Sequence, residues 1–419
     1  MSAIKPFQAI HYNVEKVGDL SKVICPPYDV ISAAQQNDYY KQNPYNFIRV
    51  SLPKDADHDP DRKYNHAQET LGKWLQEGAL IQDQAPSIYY YRQEYKIMGE
   101  KHSRLGFLAA MRLPDEKDSK IFPHENTHAK AKEDRLKLWT ALSANESPIF
   151  VCFSDREKCV EKIFLKHVAP SLPLMNVVDQ EGVRHILWAL SDPQLIAEIA
   201  ETMTDQHLFI ADGHHRFEVA CEYRRIQQAK HSKNGAEAPY NYVMTYFTNM
   251  DSKDLKILPM HRIIKTLPKS LDFLEEFFRV DKIKTKDQLS ILLIKAGKNE
   301  HAFGLYMKDQ MLLLRLKNKA LIDQYIAEGS ANYRRLDATI LKYFVLDRLG
   351  IKSEDILYTK DADEVTGKVD RGEAAAGFIM NSVRMEQLRD IALQGEKMPP
   401  KTTYFYPKAW SGLTMYRLA

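Results

Sequence analysis

The sequence lacks several features that would place it in a specialised class. Its four cysteines are scattered and form no C-x-x-C pair, so we expect small buried thiols in a reducing cytoplasm, not a disulfide framework. No apolar run approaches the roughly 18 residues of a membrane span, and the first residues contain no apolar core of signal-peptide length. These absences predict a cytoplasmic globular protein with no membrane partner.

An excess of charge of one sign is also missing. The net charge is +3 in 419 residues, which is too balanced for a dedicated nucleic-acid binder. Glycine-rich nucleotide loops of the G-x-G-x-x-G or Walker type are absent as well. What the chain does have is length, since 419 residues are enough for two or three domains with their own cores.

The hydrophobic patterning predicts a mixed α/β (α+β) fold throughout. Residues 88–97 and 105–113 flank a turn at residues 98–101 and predict a hairpin. Residues 47–52 resemble a strand, and residues 129–142 an amphipathic helix. We expect a catalytic α/β region at residues 1–266 and a smaller α/β region at residues 267–419, whose C-terminal strand packs back on the first.

The stretch A-D-G-H-H-R at residues 211–216 is the densest cluster of functional residue types. An apolar run at residues 207–210 precedes it, and an amphipathic run begins at Phe217, which together predict a strand, a tight turn and a helix. The first N–H groups of a helix lack intrahelical partners and lie at its positive dipole end, so this turn predicts a phosphate site. Open α/β sheets also bind their ligands where a strand ends and the following helix begins.

Each residue of this turn suggests a role. Gly213 allows a φ angle that other residues resist. Arg216 would bind a phosphate through its guanidinium fork, and His214 and His215 would donate to phosphoryl oxygens or carry protons. Asp212 would bind Mg²⁺ or orient a histidine. The alternative is a plain helix cap with two exposed histidines, and five functional residues in succession argue against it.

The segment P-H-E-N-T-H at residues 123–128 contains the H-E-x-x-H pattern of zinc proteases. On a helix, His124 and His128 would share a face, with Glu125 as a general base. Pro123 directly before the motif would begin a helix, not lie inside one, and no third ligand stands out. We therefore favour a polar loop that ends in a helix and presents Glu125 as a carboxylate.

Two proline-bounded segments supply further candidates. P-P-Y-D at residues 26–29 forms a rigid turn that could present Asp29 as a base or metal ligand, although a cap or turn role explains it equally well. Near the C-terminus, M-P-P-K-T-T-Y-F-Y-P-K predicts an aromatic strand between prolines. Its lysines, Lys401 and Lys408, could meet phosphate, and simple edge-strand packing is the alternative.

These motifs, in this order, resemble one large bacterial and archaeal family, named only as domain of unknown function number one thousand and fifteen. The resemblance rests on P-P-Y-D-V-I, H-E-x-T followed by D-R, A-D-G-H-H-R and P-P-K-T-T-Y-F-Y-P-K, and it extends over nearly the whole chain. The family name itself implies little about function.

The D-G-H-H-R turn is also similar to the phosphate-binding motif of the ParB/sulfiredoxin-like superfamily, and in particular to its free-serine kinases. This resemblance implies a ParB/sulfiredoxin-like N-terminal region in which Asp212, His214, His215 and Arg216 form the phosphate and nucleotide site. It also implies ATP or ADP as a co-substrate. Those kinases use an N-terminal carboxylate as base, which no residue here matches by motif.

The sequence therefore predicts a cytoplasmic phosphoryl-transfer enzyme that acts on a small phosphorylated or hydroxyl metabolite, with phosphoserine or serine first. Water as the attacking group would make it a phosphatase, and a nucleotide donor would make it a kinase. Asp29 or Glu125 would take the proton. Two alternatives are a zinc hydrolase built on the H-E-N-T-H segment and a non-catalytic nucleotide- or DNA-binding ParB-like module.

Overall fold

The predicted mixed α/β class is confirmed by a computed structural model of the chain. The structure describes residues 3–54, 59, 61–115, 120–230, 235–267 and 270–418. The chain divides into two units: the first contains residues 1–123, 127–255 and 407–419, and the second contains residues 124–126 and 256–406.

The elements of the first unit up to residue 255 begin with short strands and helices and continue into a long hairpin. The strands are β1 (Ile4–Lys5), β2 (Ile10–Tyr12), β3 (Leu80–Gln82), β4 (Ile88–Ile97), β5 (Glu100–Arg112), β6 (Ile121–Phe122), β7 (Ala144–Asn145), β8 (Ile149–Phe153), β9 (Met175–Val178), β10 (Arg184–Leu190), β11 (Leu208–Asp212) and β12 (Tyr242–Asn249). The helices are α1 (Val14–Val17), α2 (Ala33–Gln42), α3 (Ile48–Ser51), α4 (Arg62–Gln76), α5 (Ala129–Leu142), α6 (Cys159–Ile163), α7 (Pro193–Thr202) and α8 (His214–Lys230).

Nine of these strands, counted over the described residues, form one mixed sheet. Its order is β6-β11-β8-β12-β5-β4-β10-β9, and β1 pairs with β5. The predicted hairpin is β4 and β5, and its two turn residues, Met98 and Gly99, both have positive φ, as a tight hairpin turn requires. Strand β11 runs antiparallel to β8, so the end of β11 lies beside the start of β8.

The second unit has its own strands and helices. The strands from residue 256 onward are β13 (Lys256–Leu258), β14 (His261–Ile264), β15 (Phe278–Ile283), β16 (Ala302–Met307), β17 (Gln310–Leu316), β18 (Ile356–Thr359), β19 (Ala376–Ile379) and β20 (Tyr404–Tyr406), followed by β21 (Tyr416–Arg417) in the returning tail of the first unit. The helices are α9 (Leu274–Phe277), α10 (Lys286–Ala296), α11 (Ala320–Tyr325), α12 (Ala331–Arg334), α13 (Asp337–Leu341), α14 (Asp347–Leu349), α15 (Ala362–Asp370) and α16 (Met385–Leu393).

A six-stranded sheet organises the second unit, again counted over the described residues, in the order β15-β17-β16-β19-β14-β18. Successive side chains of a strand point to opposite faces of its sheet. Accordingly, Ile263 and Ile264 of β14 belong to two different hydrophobic clusters, and each cluster also contains buried helix residues. Helices therefore cover both faces of this sheet.

One local expectation is wrong. Residues 47–52, which resemble a strand, contain helix α3. The Asn46 side chain accepts a hydrogen bond from the Ile48 backbone N–H at 3.0 Å, and such local side-chain bonds override the β propensity of a short segment. By contrast, the predicted helix at residues 129–142 is present with those bounds.

The unit boundary lies between Leu255 and Lys256, whereas the sequence pattern predicts a domain boundary after residue 266. The last residues of the chain belong to the first unit, where β21 pairs with β7. The organisation into two domains stays a prediction, because two compact units need not fold independently.

Two bulk expectations can be compared with the structure. In the described part of the chain, no helix combines the length and the apolar character that crossing a membrane requires. All four cysteines are free; Cys25 and Cys152 are buried as expected, whereas Cys159 and Cys221 are only partly buried.

Candidate functional site

The D-G-H-H-R stretch forms the predicted strand, turn and helix. Strand β11 ends at Asp212, and helix α8 begins at His214. Gly213 between them has a φ of 86°, and a Cβ at this position would lie 3.0 Å from Nε of Arg216. Glycine is therefore required both for its backbone conformation and for the close approach of the guanidinium.

Arg216 is buried beneath this turn, with 2% of its surface exposed. Its guanidinium donates to the Pro148 carbonyl, which lies just before β8, and to Oδ2 of Asp212 at 2.9 Å. These bonds fasten the start of α8 to the start of β8. The predicted direct contact of Arg216 with phosphate stays a prediction, since the geometry shows a guanidinium that orients Asp212.

Asp212 lies between two cations. Lys408 donates to its Oδ1, and Arg216 donates to its Oδ2. Burial alone would raise the pKa of the Asp212 carboxyl, but the nearby Lys408 and then Arg216 outweigh burial and hold this pKa well below its usual range. Asp212 is therefore ionised at neutral pH and is not a proton donor there.

The backbone that carries Lys408 is held by a buried pair, Gln93 and Arg104, that is not among the site residues predicted from the sequence. Gln93 donates its amide N–H to the Lys408 carbonyl at 2.8 Å, and Arg104 donates to Oε1 of Gln93 and to the Pro407 carbonyl. The Arg104 guanidinium also lies over the Phe150 ring, 4.7 Å from its centroid. The predicted hairpin contained a signal for this pair, because its register places Gln93 directly opposite Arg104.

The two adjacent histidines have different surroundings. Nε2 of His215 accepts a hydrogen bond from the His128 backbone N–H at 2.9 Å, and the two rings stack with their centroids 5.9 Å apart. An accepting Nε2 carries no proton, so the neutral His215 ring has its proton on Nδ1. His214 is buried, and its charge contributes to the low pKa of Asp212.

The P-P-Y-D segment lies close enough to Arg216 for the charge of Arg216 to affect the pKa of Tyr28. Tyr28 begins a short 3-10 turn, and its ring lies 4.1 Å from the guanidinium of Arg135. Burial raises the pKa of Tyr28, Asp29 raises it further, and Arg135 and Arg216 oppose the rise. Asp29 itself is exposed, and its assignment as a general base stays a prediction.

Arg135 is the centre of a second buried ion cluster in this unit. It donates to Oδ2 of Asp134 at 2.7 Å and to the Ser51 carbonyl at 2.6 Å, and its guanidinium lies 3.4 Å from Oε1 of Glu146. Glu146 is fully buried and accepts from the Trp139 indole N–H at 2.6 Å. Helix α5, predicted from the sequence, thus places a charged core next to the loop that leads into β8.

The remaining candidates belong to the second unit. Glu125 is partly buried and Lys401 is exposed, and their assignments as base and phosphate ligand stay predictions. His124 shares a hydrogen bond of 3.2 Å with Oγ1 of Thr403, so the second unit brings two of the sequence motifs together.

The H-E-N-T-H segment forms no helix, and α5 begins only after it, at Ala129. The loop that ends in a helix is therefore confirmed. Within the described ranges of the chain, no group of three or more His, Cys, Asp or Glu side chains could hold a metal ion. The helical arrangement on which the zinc-hydrolase alternative depended is absent.

The donor set of Asp212 fits a resident magnesium ion poorly. Mg²⁺ in proteins is usually bound by one or two carboxylates together with phosphate oxygens and water. Both oxygens of Asp212 already accept from cationic side chains, and a metal ion would have to displace Lys408 or Arg216. The magnesium assignment of Asp212 stays a prediction, and the geometry favours a carboxylate that orients two cations.

The fold and the site together define a mixed α/β protein with an ion-paired strand–turn–helix. The chain belongs to the family described as "Protein of unknown function (DUF1015)", whose family model matches residues 4–339. No curated protein matches the sequence.

Solved structures that match the chain include the following three. A conserved hypothetical protein from Pyrococcus furiosus is 14% identical, with 68% of this chain and 87% of that chain covered and a TM-score of 0.32. A free serine kinase in complex with AMP is 16% identical, with coverages of 69% and 86% and a TM-score of 0.34. SbnI with a C-terminal truncation, from Staphylococcus aureus, is 11% identical, with coverages of 74% and 87% and a TM-score of 0.36.

Proposed function

We propose that this protein is a phosphoryl-transfer enzyme whose substrate is a small hydroxyl metabolite or its phosphate ester, with serine and phosphoserine first. The observation that carries the proposal is the Asp212–Lys408 ion pair at the start of α8. There the positive end of a 17-residue helix and a lysine ammonium lie at one turn. A phosphate group is the ligand that such a combination favours.

The residues of the turn divide the work of phosphoryl transfer, which depends mainly on positioning and charge neutralisation. Lys408 would neutralise the negative charge of the phosphoryl oxygens. Asp212 would hold Lys408 in place, and Arg216 would in turn hold Asp212. His214 and His215 would donate to the phosphoryl oxygens or carry the proton of the leaving group.

The direction of transfer depends on the attacking group. With water as the nucleophile, the ester would be hydrolysed to serine and inorganic phosphate. With ATP or ADP as the donor, the serine hydroxyl would attack the terminal phosphorus and release the shortened nucleotide. Asp29 or Glu125 would accept the proton from water or from serine. Magnesium, if it accompanies the nucleotide, would add its charge to that of Lys408.

The proposal is tested by following ³¹P NMR signals during incubation with phosphoserine, and separately with serine plus ATP or ADP, each with Mg²⁺. We expect turnover in one of these reactions and a loss of about 100-fold or more in Lys408→Met and His215→Ala, the range seen when one stabilising donor is removed. Unchanged rates in both folded variants would refute the assignment.

Two further variants, one control and one second candidate, are compared with the variants of the Asp212 turn. His207→Ala removes an exposed histidine that lies just before β11, and it should leave the rate unchanged. Lys401→Met tests the second C-terminal lysine that the sequence analysis singled out, because a rate loss equal to that of Lys408→Met would assign phosphate contact to both. Circular dichroism of each variant shows whether the fold is retained.

A further inference from the structure

The second unit contains a buried arginine, Arg262, for which the described residues supply no carboxylate partner. Arg262 is the second residue of β14, a strand of the six-stranded sheet, and only 4% of its surface is exposed. Its guanidinium donates to the Met260 carbonyl at 2.5 Å and lies 5.7 Å from the centroid of the Tyr358 ring. Among the residues that the structure describes, no carboxylate lies within ion-pair distance of Arg262.

The carboxylate that acts on Arg262 from a distance is engaged elsewhere. Burial is the largest effect on Arg262 and lowers its pKa to about 10, while Tyr358 and then Asp337 oppose this lowering electrostatically. Oδ1 of Asp337, however, shares a 2.7 Å hydrogen bond with Nδ1 of His301. An uncompensated buried charge is strongly unfavourable, so a fold that retains one indicates that a compensating anion comes from outside the chain.

Arg262 lines a cavity of about 340 Å³ that lies entirely within the second unit. A volume of this size is within the range of small-molecule sites. Four further cations line the cavity together with two carboxylates, and one of these cations, Arg335, pairs with Asp323 outside the lining at 3.3 Å. The cations are Lys298, Lys319, Arg335 and Arg384, and the carboxylates are Glu300 and Asp337.

Polar donors accompany these cations. Asn381 lies on the wall, and its buried Nδ2 has no hydrogen-bond partner in the described structure. Arg384 and Gln387 belong to the beginning of α16, a nine-residue helix, so its positive dipole end also faces this part of the wall. Arginine forks, an amide donor and a helix start all favour an anion with several oxygens.

We propose that this cavity is a binding site for a small phosphorylated metabolite, with Arg262 contacting the phosphate at its buried end. When Arg335 is set aside with its partner Asp323, four lining cations remain against two lining carboxylates, and this excess favours a dianionic phosphate over a monocarboxylate. The Asp212 turn is a separate feature of the first unit, so this inference does not depend on the proposed function. The phosphate group can come from an ester or from inorganic phosphate, and the experiment distinguishes them.

The test is isothermal titration calorimetry of the full chain with inorganic phosphate and, separately, with phosphoserine and AMP. The titrations are made in a Lys408→Met background, so that binding at the Asp212 turn does not contribute. We expect one site per chain, weakened roughly tenfold or more in Arg262→Met because a charge-assisted bond is lost. An ester that binds more tightly than inorganic phosphate identifies a metabolite site.

Two further variants keep the inference falsifiable. Arg384→Gln removes an exposed cation of the wall and should weaken binding while the fold is retained. Arg371→Gln removes an exposed arginine that pairs with Glu373 and does not line the cavity, so it should bind as the parent does. Absence of binding in the parent, or equal binding in all variants, would overturn the inference. Loss of turnover in Lys408→Met with phosphate binding intact would separate the two sites.

Discussion

Arg216 and Arg135 in the first unit and Arg262 in the second unit have buried guanidiniums with different partners. In the first unit, Arg216 contacts the carboxylate of Asp212, and Arg135 contacts the carboxylates of Asp134 and Glu146. In the second unit, Arg262 contacts a backbone carbonyl and no carboxylate in the described residues. A paired guanidinium fixes the geometry of its neighbours, whereas an unpaired one keeps its charge available for a ligand.

The largest expected effect separates Arg216 from Arg262. We expect Arg216→Met to lower the free energy of unfolding by about 3–5 kcal/mol, because it leaves the buried Asp212 carboxylate short of a cation. Arg262→Met should be neutral or stabilising in the absence of phosphate, because it removes a buried charge that has no carboxylate counterion in the part of the chain that the structure describes. Urea denaturation at neutral pH measures both changes.

The control for this pair is Arg225→Met. Arg225 lies on the same helix as Arg216, is largely exposed and pairs with Glu222 on the surface, so we expect no measurable change in stability. If Arg262→Met destabilised the chain as much as Arg216→Met, the contrast between a paired and an unpaired guanidinium would be wrong.

The sequence predicted those parts of the fold and site that depend on short-range patterns. The strand, Gly213 and the helix of the D-G-H-H-R turn follow from residues that are neighbours in the chain. The contact of Lys408 with Asp212 joins two distant segments, and neither segment specifies the other by its own pattern. Only the sheet order and the path of the C-terminal tail bring them together.

The same reason explains why Arg262 escaped notice. Its sequence neighbours, in the stretch H-R-I-I, look like an ordinary half-exposed strand in which an arginine faces solvent. Its burial is set by the strands on either side, since it pairs with Tyr358 on β18 and with Phe378 on β19. An unpaired charge becomes visible only when the positions of all carboxylates are known.

We expect the stability of the second unit to be more sensitive to acid than that of the first, because of His261, the residue before Arg262. Burial, and then the charge of Arg262, lowers the pKa of His261 from 6.5 to about 4. In the folded chain its Nδ1 accepts from the Met380 N–H at 3.0 Å, which requires an unprotonated nitrogen. The unfolded chain takes up a proton below pH 6.5, whereas the folded chain does so only near pH 4.

Stability is therefore complete above pH 6.5 and falls as the pH drops to about 4, by on the order of 3 kcal/mol from this group. His261→Asn keeps an acceptor for the Met380 N–H and removes the titration. Urea denaturation of both chains across this range should show a shallower pH dependence in the variant. Equal pH dependence in wild type and His261→Asn would contradict the assignment of this pH dependence to His261.

The counterpart of His261 in the first unit is His185, which is also buried. There Asp179, at 2.9 Å, opposes the lowering of the His185 pKa.

The smallest expected effects come from substitutions of two glycines, Gly213 at the Asp212 turn and Gly297 at the Arg262 cavity. Gly213→Ala places a side chain at a φ of 86°, where a left-handed conformation costs about 1–2 kcal/mol, and brings its Cβ to 3.0 Å from Arg216. Gly99→Ala is the matched control, since Gly99 has a φ of 81° but no atom of the described residues within 4 Å of the added Cβ. The difference between these two variants in urea denaturation measures the close approach of the guanidinium alone.

Gly297 presents the contrasting case in the second unit, because its φ of −60° suits alanine. A Cβ there would lie 2.5 Å from Nδ2 of Asn381, a flexible side-chain end on the wall of the Arg262 cavity. We expect Gly297→Ala to leave stability nearly unchanged and to weaken phosphate binding, because Asn381 must turn away. Gly213→Ala should lower stability and leave phosphate binding at that cavity unchanged, because it does not alter the residues that line the cavity. Equal losses of cavity binding in the two variants would mean that phosphate affinity follows overall stability and not the position of Asn381.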